Sequence, residues 1–291
     1  MPPFETTTGV RSFLDRYDAF ILDQWGVLHD GAQPYAAALD CLQRLHALGK
    51  GIAVLTNSGK RAATNRRLLL GMGFPLEFFD VLVSSGEVAW SHLKERTDPM
   101  FAGLGRRCVF FSRGHDEFFL NGLDLDVVER AEEADFVLAT GTDSPEKSLS
   151  DYLPVLETAA RRKLPMVCAN PDLVAPQGDS FVFSPGSLAR HYEDLGGTVR
   201  YLGKPHPEVY DACLAELEVT DRSRVIAVGD SLLHDVAGAL ARGLDSAFVA
   251  GGIHAEALGV RPGETPTDER LHALFEETGV HPTRVLPLFQ W

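Results

Sequence analysis

Cysteine, long apolar runs and positive charge are all scarce in this 291-residue sequence. Its four cysteines lie far apart, form no Cys-x-x-Cys pair and have no cysteine–histidine ligand spacing, which is typical of reduced thiols in a reducing compartment. No apolar run approaches the ~20 residues needed to span a bilayer, and the N-terminus lacks the basic and apolar regions of a signal peptide. We therefore expect a soluble, cytoplasmic protein with no membrane partner.

The deficit of positive charge restricts the partners further. Lysine and arginine number 27 against 41 aspartates and glutamates, which gives a formal net charge of −14. Such a surface repels polyanions and argues against nucleic acid or an anionic membrane as the main partner. A small anionic substrate remains compatible, because its site needs only local positive charge.

Short apolar strands alternate with helical patterns along the chain. Ala19–Leu22, Ile52–Leu55 and Val225–Val228 are apolar runs of strand length, and amphipathic helical patterns separate them. Alternation at this pitch indicates right-handed βαβ units. We therefore predict the α/β class, with a Rossmann-like parallel sheet at the core.

The middle of the chain repeats this rhythm without carboxylates at the strand ends. We predict that residues 87–199 form a second, smaller α/β domain inserted into the first. The first domain would then consist of residues 1–86 and 200–291.

Acidic residues follow two of the predicted core strands directly. Asp23 follows Leu22 at once, Asp230 follows Val228-Gly229, and Asp235 lies five residues further on. Carboxylates at the ends of parallel strands form an all-oxygen site for a hard cation, most often Mg²⁺. Taken singly, each aspartate also fits a helix or turn cap.

Two further segments could bind a phosphoryl group. Thr56-Asn57-Ser58 ends a strand before a helix, where a hydroxyl, backbone N–H groups and the positive helix terminus can hold phosphate oxygens, although the segment alone also fits an ordinary cap. Lys204, in Gly203-Lys204-Pro205, could neutralise charge on a nucleophilic carboxylate and a phosphoryl group, although surface exposure is the usual fate of a lysine.

The order of these motifs resembles that of the haloacid dehalogenase superfamily. The motifs are Asp-x-x-Gly-Val, Leu-Thr-Asn, Gly-Lys-Pro and Gly-Asp-Ser-x-x-x-Asp. The insertion, which contains Ala169-Asn170-Pro171-Asp172, is similar to that of subclass IIA, a group of p-nitrophenyl, nucleotide and sugar phosphatases. The resemblance implies a hydrolase with an α/β core and an inserted cap domain.

The resemblance also implies roles for individual residues. Asp23 would be the nucleophile that forms an aspartyl-phosphate, Thr56 would bind the transferring phosphoryl group, and Lys204 would orient Asp23. Mg²⁺ would be held by Asp23, Asp230 and the backbone carbonyl of Trp25, with Asp235 close by.

The cap would close over a small phosphorylated metabolite and exclude water. Asn57 and Ser58 would contact the substrate. Asn170 and Asp172 could stabilise a loop that faces the site or form a structural turn. Members of this subclass often pair through their caps, which makes a homodimer the expected assembly.

One position departs from the pattern. Phosphatases of this superfamily carry a second aspartate two residues after the nucleophile, which protonates the leaving group and later activates water. Here that residue is Trp25, whose indole cannot exchange a proton near neutral pH. General acid–base help is worth ~10²–10⁴-fold, so ordinary ester hydrolysis should be weakened.

Three interpretations of this departure stay open. The protein could be a phosphatase for substrates with good leaving groups, such as acyl or aryl phosphates, or use His29, Asp30 or His206 as a substitute acid. Asp23 could instead attack another bond, as in superfamily members that act on phosphorus–carbon or carbon–halogen bonds. The chain could also bind a phosphorylated metabolite without catalysis. The retained nucleophile and its neighbouring motifs favour an enzyme.

Overall fold

Buried apolar runs form two separate parallel sheets in the computed structural model, which describes residues 4–114, 116–177 and 180–291. The strands are β1 (Glu5–Thr6), β2 (Ala19–Leu22), β3 (Gly51–Thr56), β4 (Val81–Ser84), β5 (Arg107–Phe111), β6 (Asp126–Val127), β7 (Phe136–Ala139), β8 (Pro165–Cys168), β9 (Val174–Gln177), β10 (Ser180–Phe183), β11 (Thr198–Tyr201), β12 (Val225–Gly229), β13 (Asp245–Val249) and β14 (Arg284–Leu286).

Helices lie between most of these strands. They are α1 (Ala36–Ala47), α2 (Ala62–Gly71), α3 (Ser85–Glu95), α4 (Pro99–Ala102), α5 (Glu117–Leu120), α6 (Leu153–Arg161), α7 (Pro185–Asp194), α8 (Pro207–Glu216), α9 (Ala237–Ala241), α10 (Ala255–Leu258) and α11 (Asp268–Thr278). A π-helical turn, Leu232–Val236, precedes α9. Within the described ranges, no helix is both long and apolar enough to cross a bilayer.

The described residues divide into two compact units. Unit 1 holds the residues up to Thr56, followed by Arg66–Val83 and Lys204–Trp291. Unit 2 holds Asn57–Asn65 and Ser84–Gly203. Each unit has its own parallel sheet with helices, which confirms the α/β class with a Rossmann-like core.

The larger sheet has the strand order β1-β14-β13-β12-β2-β3-β4. Strand β2 is buried at every position and pairs in parallel with both β3 and β12, so that Leu22 lies opposite Val54 and Val228. Continuous apolar runs of this kind are typical of parallel strands that are covered on both faces. Because of this register, the residues that follow β2, β3 and β12 emerge side by side at one edge.

The second sheet has the order β11-β8-β7-β5-β6, and all of these pairs are parallel. Successive residues of β7 contribute to two different hydrophobic cores. Val137 packs with Met166 in one core, and Phe136 and Leu138 pack with Val167 in the other. Side chains alternate between the faces of a strand, so a strand covered on both faces needs apolar residues throughout. Strands β9 and β10 form a separate antiparallel hairpin.

Candidate active site

Three carboxylates meet at the edge of the larger sheet where β2 and β12 end. Asp23 continues the β2 ladder, since its N–H donates to the carbonyl of Val228 at 2.9 Å. Asp230 follows β12, and Asp235 lies in the π-helical turn that comes next. One oxygen from each carboxylate lies within 4.8 Å of the other two. An all-oxygen donor set of this density fits a hard divalent cation.

Lys204 lies between two of these carboxylates. Its Nζ atom is 2.6 Å from Oδ1 of Asp23 and 2.7 Å from Oδ1 of Asp235. The lysine is only 3% exposed, so it is not the surface residue that its type alone would suggest. A buried ammonium is stable only when it is paired, and these contacts provide the pairing.

Asp230 is held in a pocket that only glycine can line. A Cβ atom on Gly26 would lie 1.9 Å from Oδ2 of Asp230, and one on Gly252 would lie 2.1 Å from the same oxygen. The N–H of Ile253 donates to this oxygen at 2.8 Å. Gly26 also has φ of +76°, which favours glycine on its own. The carboxylate is therefore fixed by backbone on two sides.

Asp235 is fixed in a similar way. A Cβ atom on Gly229 would lie 2.0 Å from Cγ of Asp235, and the N–H of Ser231 donates to its Oδ2 at 3.0 Å. The hydroxyl of Tyr210 donates to the backbone carbonyl of Asp235 at 3.0 Å, which stabilises the π-helical turn. The sequence alone did not identify the supporting residues of Asp230 and Asp235, although the pair Gly251-Gly252 just after β13 was a signal for the first of these sites.

The site holds three carboxylates and one ammonium, and this excess of acidic groups shifts their pKa values. Burial and the neighbouring Asp235 raise the pKa of Asp23 to about 7, although Lys204 opposes the shift. Burial, Asp23 and Asp235 raise the pKa of Asp230 well above its usual range. Burial disfavours the charge on Lys204, but Asp23 and Asp235 outweigh it and raise the pKa of Lys204 well above normal. A divalent cation would relieve the repulsion among the carboxylates.

Thr56 and Trp25 flank the carboxylates. Thr56 ends β3, is 8% exposed, and lies at the same sheet edge as Asp23 because β2 and β3 pair in parallel. Trp25 is partly exposed, and its Nε1 atom is buried without a hydrogen-bond partner among the described residues. A Cβ atom on Gly31 would lie 3.3 Å from this nitrogen, so the indole N–H packs against its own loop.

Two of the three substitute acids suggested by the sequence, His29 and Asp30, have other tasks. His29 is 6% exposed, its Nδ1 accepts the N–H of Gly31 at 3.0 Å, and burial lowers its pKa to about 4. Oδ1 of Asp30 accepts the N–H groups of Ala32 and Gln33 at 2.8 and 2.7 Å. The bond from Gln33, followed by that from Ala32, lowers the pKa of Asp30, which is the opposite of what an acid needs. His206 occupies the N-cap position of α8, where its side chain makes no capping hydrogen bond.

The other four predicted site residues belong to unit 2. The Nδ2 of Asn57 donates to Oδ1 of Asp172 at 2.7 Å, and Oδ1 of Asn170 accepts the N–H of Asp172 at 3.0 Å. The hydroxyl of Ser85 also donates to Asn57 at 3.3 Å. Ser58 accepts the N–H of Lys60 at 3.3 Å within its own loop. Three of the four predicted residues therefore form one polar network.

Comparison with known proteins agrees with this geometry. Residues 20–126 match the family described as haloacid dehalogenase-like hydrolase, and residues 201–276 match the HAD-hydrolase-like family. A 4-nitrophenylphosphatase of Schizosaccharomyces pombe is 27% identical over 244 residues, which cover 78% of this chain and 80% of that protein. The structure of a 4-nitrophenylphosphatase from Thermotoga maritima has 25% identity, a TM-score of 0.69 and 94% coverage of both chains.

A solved structure from Brucella suis gives the broadest match among these. It is described as a hydrolase of the haloacid dehalogenase-like family, with 31% identity, a TM-score of 0.82, and coverage of 97% of this chain and 99% of its own. Together with the carboxylate cluster, these matches confirm the resemblance drawn from the motifs. The chain belongs to the haloacid dehalogenase-like hydrolase family.

Proposed function

We propose that this protein is a Mg²⁺-dependent phosphatase that acts on a small phosphorylated metabolite through an aspartyl-phosphate on Asp23. The observation behind this proposal is the position of Asp23, which contacts Lys204 at 2.6 Å inside a cluster of three carboxylates. A buried carboxylate beside a buried ammonium and a cation site has the charge environment that phosphoryl transfer requires. The two 4-nitrophenylphosphatase relatives support the same reaction class.

Each residue would have a separate task. Asp23 would attack phosphorus, Thr56 would hold a phosphoryl oxygen, and Lys204 would keep the nucleophile oriented. Asp23, Asp230 and the backbone carbonyl of Trp25 would hold Mg²⁺, with Asp235 close by. The bound ion would neutralise charge on the phosphoryl oxygens.

The substrate-binding cap would consist of residues 87–199, as expected from the sequence, which is the larger part of unit 2. Asn57 and Ser58 outside the cap, with Asn170 and Asp172 inside it, would contact the substrate, and two copies would pair through their caps. The four cysteines are free and buried, which fits the reducing cytoplasm proposed from their spacing.

The test is turnover of 4-nitrophenyl phosphate by the purified protein with and without Mg²⁺. Asp23→Asn should abolish turnover, because an amide cannot form the covalent intermediate. Asp40→Asn is the matched control, since Asp40 is exposed and pairs with Arg44 on α1. If wild type shows no Mg²⁺-dependent turnover of any phosphate ester, and Asp23→Asn behaves as wild type does, the proposal is wrong.

A further inference from the structure

We propose that the active site of unit 1 releases its leaving group without protonating it, and therefore selects aryl and acyl phosphates over alkyl phosphates. This inference rests on the proposed phosphatase function and names its substrate class. The starting observation is that four ionisable side chains in the described part of unit 1 are held by fixed contacts, namely Lys204, Tyr210, His29 and Asp30.

The cationic and phenolic candidates are held by fixed contacts. Lys204 is locked between Asp23 and Asp235 at 2.6 and 2.7 Å, so its protons point at carboxylates. The hydroxyl of Tyr210 donates to the backbone carbonyls of His234 and Asp235 at 3.2 and 3.0 Å. Both groups stabilise the site through these contacts.

The residues of the loop after β2 are engaged as well. His29 accepts the N–H of Gly31 through Nδ1, so its single proton in the neutral form is on Nε2, and imidazole in that form is a very weak acid. Asp30 accepts two N–H groups within the same loop. Its carboxylate is therefore held ionised as a turn cap.

Trp25 lies two residues after the nucleophile in this loop. Its Nε1 is buried against Gly31, so the indole nitrogen is not part of the exposed surface. Indole has no proton to give near neutral pH. Its ring is suited to contact with an aromatic or other apolar leaving group.

The reaction balances without an acid when the leaving group is a stable anion. An oxygen of Asp23 forms a bond to phosphorus while the bond from phosphorus to the leaving oxygen breaks, and the electron pair stays on that oxygen as a phenolate or carboxylate. Water then attacks phosphorus, the bond to Asp23 breaks, and phosphate leaves with the proton of water passing to solvent.

The basicity of the leaving group decides which substrates can react in this way. Carboxylic acids have a pKa of about 4 and phenols of about 10, so their anions leave readily. Alkoxides are close in basicity to hydroxide and far more basic than phenolates, so they need a proton. The structure therefore favours the first two classes.

The test is a series of acetyl phosphate, 4-nitrophenyl phosphate, phenyl phosphate and glycerol 3-phosphate, with kcat/KM plotted against the leaving-group pKa. For wild type we expect a steep fall toward glycerol 3-phosphate. Trp25→Asp should reduce the ratio of aryl to alkyl turnover by about 10²–10⁴-fold, because a carboxyl group can protonate the alkoxide. Trp25→Phe is the matched control and should keep the steep dependence.

Two results would overturn the inference while leaving the phosphatase proposal in place. One is a flat wild-type dependence, with glycerol 3-phosphate turned over as fast as 4-nitrophenyl phosphate. The other is a folded Trp25→Asp variant, checked by circular dichroism, with an unchanged aryl-to-alkyl ratio. If the variant does not fold, the wild-type slope alone decides. Absence of turnover across the whole series would overturn the phosphatase proposal itself.

Discussion

Units 1 and 2 both have parallel sheets covered by helices, and the edge of the first gathers three carboxylates around one ammonium. In unit 1, Asp23 and Asp230 follow buried strands and lie with Asp235 around Lys204. In unit 2, β7 is followed by Thr140 and β8 by Ala169-Asn170, which are neutral. The chemistry of each unit is therefore determined by the residues that follow its strands, and not by the architecture of its sheet.

The support of the polar groups differs in the same way. The carboxylates of unit 1 are fixed by backbone, through glycines that leave no room for a side chain and through N–H groups such as that of Ile253. The predicted site residues of unit 2 are instead bonded to one another, as in the bond from the Asn57 amide to Asp172. Substitutions in unit 1 should therefore change the chemistry, and those in unit 2 the recognition of substrate.

The largest expected effect concerns the second chemical step. Without a base at position 25, water should attack the aspartyl-phosphate ~10²–10⁴-fold more slowly than with one. Rapid mixing of wild type with 4-nitrophenyl phosphate should then give a burst of about one nitrophenolate per site, and Trp25→Asp should remove it. Linear release by wild type from the first turnover would show that a base is present.

The next effect is on stability. Lys204→Ala removes the only ammonium that contacts Asp23 and Asp235 among the described residues, and loss of one partner of a buried pair costs about 3–5 kcal/mol. Urea unfolding in the presence of a chelator should show this loss. Lys147→Ala, which breaks an exposed pair with Asp143 in unit 2, should cost about 0–1 kcal/mol. Equal losses in the two variants would remove the contrast between the units.

A smaller effect is expected from the cradle of Asp230, the pocket that Gly26 and Gly252 form around its carboxylate. Gly252→Ala places a methyl group 2.1 Å from Oδ2 of Asp230, so the carboxylate must move. We expect Mg²⁺ affinity, measured by calorimetry, to fall about 10–100-fold, as for other changes in the support of metal ligands. Gly71→Ala is the matched control, because a Cβ there meets nothing within 4 Å. Unchanged affinity in Gly252→Ala would mean that the cradle does not position the ligand.

The smallest effect is expected in unit 2. Asp172→Ala removes the acceptor of the Asn57 amide, a bond worth about 1 kcal/mol. Steady-state kinetics with 4-nitrophenyl phosphate should show a rise in KM of about fivefold with kcat nearly unchanged. A fall in kcat comparable to that of Asp23→Asn would assign Asp172 to the chemical step and end the division of tasks between the units.

The sequence by itself determined the α/β class and the location of the carboxylates. Both follow from local pattern, because a buried parallel strand needs a continuous apolar run, and the residue after it must emerge at the sheet edge. That is why Asp23 and Asp230 could be paired before any coordinates were known, and why their motifs predicted the family correctly.

Tertiary structure alone decided how those carboxylates are held and what the neighbouring groups do. The approach of Gly252 to Asp230 and the pairing of Lys204 with Asp235 join distant parts of the chain. The spacing of His29 allowed an acid, whereas its burial and its bond from Gly31 give a weakly basic ring that is neutral near pH 7. Hydrophobic periodicity is encoded locally, but burial, partners and pKa values arise only when distant segments pack together.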